Sequence, residues 1–82
     1  MLTDMEKKIE FTDSKTLLQE IVQEMGEELH YELLEEIGPA HDREYVVRAL
    51  ISGAERSRGR GRTKKAAEQM AAYEILKELH RI

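Results

Sequence analysis

ERSRGRGRTKKAAEQ, residues 55–69, changes its period halfway along, and that change fixes the arrangement of the chain. From Glu55 to Gly61 the arginines Arg56, Arg58 and Arg60 alternate with Ser57, Gly59 and Gly61. A period of two is that of a strand, whose successive side chains point to opposite faces. The reading predicts guanidinium groups outside and three small residues inside, where a helix can approach the sheet closely. Thr63 then offers a capping hydroxyl, and a helix is expected from there to about Leu79. Its buried stripe is expected at Ala67, Ala71, Ile75 and Leu79, spaced by four and flanked by Ala72 and Leu76. Glu68 and Glu78 fall in or beside that arc and blur it.

Upstream, Tyr45, Val47, Ala49 and Ile51 share one face of a second strand, with Glu44, Val46, Arg48 and Leu50 on the other. Ser52-Gly53 joins the two strands by a tight hairpin turn. Gly38-Pro39-Ala40-His41-Asp42 is turn chemistry, because proline fixes its own φ and removes a donor. Before it, His30 to Ile37 reads as a strand in which Tyr31 and Leu33 alternate with Glu32. Asp13 is a good helix cap, and Ser14 to Met25 is helical. There Leu17, Leu18, Ile21, Val22 and Met25 fall within an arc of about 140°. Gly26 closes that helix in the left-handed region. Residues 1–12 show no sustained period and read as a linker or flexible tail, leaving residues 13–82 as the domain. The expected fold is α+β: α-β-β-β-α, two helices packed on one face of a three-stranded antiparallel sheet.

Eighty-two residues make one domain, and a 40% hydrophobic fraction supplies one modest core. No run of about 18 apolar residues is present to span a membrane, and no signal-peptide pattern opens the chain. With no cysteine there is neither a disulfide framework nor a thiolate metal site. A cytoplasmic location is expected. His30, His41 and His80 lack the spacing of a helical zinc site. Glu35, Glu36 and Asp42 lack the glycine-punctuated pattern of a calcium loop. No nucleophile has a base beside it, so the chain is expected to carry no catalytic residues, cofactor or metal.

The net charge of −4 conceals a segregation. Residues 1–55 hold 14 acidic and 5 basic residues, whereas residues 56–82 hold 3 and 8. Six of those cations crowd one window: Arg56, Arg58, Arg60, Arg62, Lys64 and Lys65. Lys64 and Lys65 fall in the first turn of the second helix, where cations oppose the helix dipole at a cost of about 0.3–1 kcal/mol each. Arg62 adds to the same positive end. Stability alone favours Asp or Glu there, whereas a phosphate partner favours this arrangement. On the first helix, Thr16, Gln19, Glu20 and Gln23 form a polar ridge whose hydroxyl, amide and carboxylate groups can hydrogen-bond sugars and base edges.

Taken together, these blocks resemble a double-stranded RNA-binding domain, most closely the one at the carboxyl end of bacterial ribonuclease III. The resemblance covers Asp13 to Leu79. It rests on Asp13-x-Lys15-Thr16-x-Leu18-Gln19-Glu20, on Tyr31 seven residues before Gly38-Pro39-x-His41, and on Gly59-x-Gly61-Arg62-Thr63-Lys64-Lys65-x-Ala67-Glu68-Gln69. It implies the α-β-β-β-α fold and three contact regions. Thr16, Gln19 and Glu20 match first-helix residues that enter one minor groove. Pro39, Ala40 and His41 match the turn that enters the next. Arg62, Lys64 and Lys65 match the cluster that clamps phosphates across the intervening major groove. Such a domain spans about 16 base pairs and reads A-form shape and 2′-hydroxyls more than sequence. The resemblance implies a substrate-binding domain, monomeric in isolation, whose magnesium-dependent nuclease domain lies upstream and outside this chain. Two other readings fit the same residues: a free-standing duplex-RNA-binding protein, and a protein-interaction domain of this fold that has lost RNA binding.

Overall fold

The computed structural model describes residues 13–80, and the expected tail at 1–12 lies outside them. Within that span the order is α1 (Ser14–Glu24), β1 (Leu29–Ile37), a 3₁₀ turn (Ala40–Asp42), β2 (Glu44–Ile51), β3 (Ala54–Gly61) and α2 (Lys64–Glu78). The strands form one antiparallel sheet in the order β1-β2-β3. Both helices cover a single face, which is the α+β arrangement expected from the periodicities.

The core forms where the inward residues of three elements meet. Leu18, Ile21 and Val22 come from α1, and Val47, Ala49 and Ile51 from β2. Ala67, Ala71, Ala72, Ile75 and Leu76 come from α2. Tyr31 and Tyr45 pack at its margin. The alanines of α2 let its backbone lie directly on β3. A Cβ built at Gly59 would stand 2.1 Å from the Ala67 carbonyl oxygen and 2.5 Å from the Ala71 nitrogen. At Gly61 it would stand 2.7 Å from the Ala67 nitrogen. Between helix and strand, Ser57 Oγ donates to the Ala71 carbonyl at 2.6 Å.

The turns follow their sequence chemistry. Ser52 and Gly53 both have positive φ, 52° and 85°, as a two-residue hairpin turn of the mirror-image kind requires. At the end of α1, Gly26 N–H donates to Gln23 O and Glu27 N–H to Val22 O, satisfying carbonyls that the helix leaves open.

Four expectations need correction. Asp13 stands at the N-cap of α1, but its side chain makes no capping bond. The Lys15 N–H is instead taken by Gln69 Oε1 of α2 at 2.9 Å. Met25 is 46% exposed, because α1 stops at Glu24 and leaves it past the turns that face the core. Leu33 is 40% exposed, since the β1–β2 register shifts between Leu33 and Glu35 at an edge the helices leave uncovered. Arg56 breaks the arginine alternation: the β2–β3 register slips opposite it, and its guanidinium reaches Glu78 of α2 at 3.8 Å.

Candidate nucleic-acid interface

Thr63 begins the site. Its hydroxyl accepts from Ala66 N–H at 2.9 Å, which starts α2 abruptly and projects Lys64 and Lys65 from the first turn. Both lysines are exposed, and neither has a partner among the described residues. Two unneutralised ammonium groups beside the positive end of a helix dipole form a site for anions.

The other cations of the window behave differently. Strand alternation turns Arg58 and Arg60 to the face of the sheet away from the helices, where Glu55 and Glu44 pair with them at 2.8 and 3.1 Å. On that face Arg48 bridges Glu32 at 2.6 Å and Glu55 at 3.3 Å. Hydrogen bonds from Arg58 and then Arg48 hold the Glu55 carboxyl below the usual range. The window is therefore not one patch. Four of its arginines are answered by carboxylates, and the free charge sits on Lys64 and Lys65.

Arg62 is the fourth, paired with Asp42 at 3.0 Å. That bond joins the helix tip to the turn. Pro39, Ala40 and His41 are all exposed there, and Asp42 N–H closes the turn on Pro39 O at 2.9 Å. A Cβ at Gly38 would meet the Asp42 carbonyl at 2.6 Å, so the fold of the turn requires glycine. Because both partners of Arg62–Asp42 are well exposed, the carboxylate competes with an incoming phosphate for the same guanidinium. Asp42→Asn is expected to tighten duplex-RNA binding by about 2- to 5-fold and to steepen its salt dependence by about one counterion. Titrations at several salt concentrations measure both; an unchanged slope removes Arg62 from the interface.

Thr16, Gln19 and Glu20 are exposed on α1 and, with Lys15, line an open concavity. Lys15 ties this ridge to α2 through an ion pair with Glu68 and the backbone bond to Gln69. Its Nζ lies 5.3 Å from the centroid of the Tyr31 ring. Burial, then the nearby Glu68 carboxylate, push the Tyr31 phenol upward. Lys15 thus ties the first-helix region to the second turn of α2, and Asp42 ties the turn to Arg62 just before that helix. Sequence reasoning missed the pairing of Arg62 and the role of Gln69, which is 5% exposed. Among the described residues no His, Asp and Glu side chains group to hold a metal ion, and no helix is long and apolar enough to cross a membrane.

The chain is 51% identical over 69 residues to Ribonuclease 3 of Latilactobacillus sakei subsp. sakei (strain 23K), covering 83% of this chain and 30% of that protein. To Ribonuclease 3 of Bacillus cereus (strain AH187) it is 46% identical over 68 residues, covering 82% and 28%. It thus spans about 30% of the length of the curated relatives it matches. Among solved structures, both dsRBDs of DRB4 with their linker match at a TM-score of 0.64 and 26% identity, covering 99% of this chain and 53% of that one. The family described as the double-stranded RNA binding motif matches residues 14–79. With the fold and this match in agreement, the chain belongs to the double-stranded RNA binding motif family.

Proposed function

We propose that this chain is the substrate-binding domain of a ribonuclease III, gripping double-stranded RNA through Thr16, Gln19 and Glu20, Pro39, Ala40 and His41, and Arg62, Lys64 and Lys65. The observation that carries the reading is the pair of lysines at the start of α2, unpartnered among the described residues, on a helix joined through Lys15 to the polar ridge and beside an Arg62 joined to the turn. The ridge offers donors and acceptors to sugar hydroxyls, whereas the lysines offer only charge and donors. Phosphate contacts position the domain, and 2′-hydroxyl contacts select RNA over DNA. Cleavage, with its magnesium, is assigned to the remaining part of a longer protein. In that setting the domain works as a cytoplasmic monomeric unit that concentrates the nuclease on duplexes.

The test is a titration with an RNA duplex of about 20 base pairs and a DNA duplex of the same sequence. RNA is expected to bind more tightly, with log affinity falling linearly in log salt. Equal affinity for the two would leave a generic charge patch and overturn the reading.

A further inference from the structure

The two residues that anchor α1 lie one helical turn beyond the two lysines on α2. Glu68 follows Lys64 by four residues, and Gln69 follows Lys65 by four, so each pair shares a helix face. Glu68 holds the Lys15 ammonium, and Gln69 accepts the Lys15 backbone N–H at 2.9 Å. Thr16, the first residue of the polar ridge, is the next residue along. A path of one helical turn, one side-chain bond and one peptide therefore runs from the cationic tip to the ridge. Among the described residues no other capping side chain shares the load, since Asp13 makes no capping bond. Glu68 is 24% exposed and Gln69 5% exposed, so their side chains are largely enclosed rather than free to wander.

We propose that Gln69 and Glu68 are positioning residues that set the reach between the phosphate-binding tip of α2 and the minor-groove ridge of α1, and through it the preference for RNA over DNA. This rests on the duplex-RNA reading above. The lysines hold any duplex by its phosphates, whereas the ridge gains hydrogen bonds only where 2′-hydroxyls stand at the A-form distance from those phosphates. If α1 loses its tie to α2, the tip still binds but the ridge no longer falls in register. The effect then appears in discrimination and not in the salt slope.

The experiment compares wild type, Gln69→Leu and Glu68→Gln for binding to RNA and DNA duplexes of about 20 base pairs and one sequence. Wild type is expected to favour RNA; if it does not, the functional reading fails and this inference with it. In Gln69→Leu, RNA affinity is expected to fall about tenfold, DNA affinity to stay within about twofold, and the salt slope to stay constant. A general loss of folded protein lowers both affinities together and leaves their ratio intact, which would overturn the proposal. Glu68→Gln keeps a good helix former at a partly exposed position and guards against a variant that fails to fold. Its removal of a negative charge should, on charge alone, tighten RNA and DNA equally. The proposal expects a smaller RNA-to-DNA ratio instead, by about threefold. An unchanged ratio in both variants, with wild type selective, sinks the positioning role alone.

Discussion

Gly59→Ala is expected to lower the melting temperature by about 15–25 °C. The added methyl would lie 2.1 Å from the Ala67 carbonyl oxygen and 2.5 Å from the Ala71 nitrogen. Both atoms are backbone, so no rotamer change can make room. The strand and the helix must separate, and the packing of Ile75 and Leu76 beneath loosens with them. A cost of about 3–4 kcal/mol lies at the upper end for overpacking. It is a large share of the roughly 5–15 kcal/mol that holds a small domain folded. Gly53→Ala is the control: it faces open space at φ +85°, and only a backbone penalty of about 1 kcal/mol applies. Thermal unfolding followed by circular dichroism separates the two. A Gly59→Ala protein melting within a few degrees of wild type would mean that α2 does not lie this close to β3.

The second large effect concerns binding. Replacing Lys64 and Lys65 together with alanine is expected to weaken duplex-RNA affinity about 100-fold, from roughly 1.5 kcal/mol for each charge-assisted contact. The loss should be nearly the same for every duplex sequence, and the salt slope should flatten by about two counterions. Stability should move the other way. Removing two cations from the positive end of a helix dipole relieves about 0.3–1 kcal/mol each, and alanine is the better helix former. A variant that binds worse while melting higher marks residues kept for a partner. Isothermal titration and a melting curve on one preparation measure both signs; retained affinity would place the phosphate contacts elsewhere.

The order of elements was legible because each carries its own period. Val47, Ala49 and Ile51 declare a strand, Leu18, Ile21 and Val22 a helix, and Ser57, Gly59 and Gly61 a strand that a helix overlies. The candidate contact residues were legible for a related reason, since Lys64 and Lys65 oppose the dipole of their own helix. What stayed hidden depends on partners distant in sequence. Gln69 reads as an ordinary polar helix residue until Lys15 is brought against it. Arg62 and Arg58 have the same local pattern, yet one meets a turn carboxylate and the other a strand carboxylate. Arg56 fits the alternation in letters and breaks it in space, because a register slip belongs to a pair of strands and not to either alone. Periodicity shows which way a side chain faces, and not what waits there.

The borrowed cap of α1 has a consequence for how the chain matures. Lys15 and Gln69 are separated by 54 positions, so α1 emerges from the ribosome long before the group that completes its first turn. Its apolar face also waits for Ile75 and Leu76 of α2. An isolated helix of eleven residues is too short to persist in water unaided. Folding of α1 therefore waits until α2 has been made, and a ribosome stalled before residue 69 holds a nascent chain whose α1 side chains remain available to chaperones.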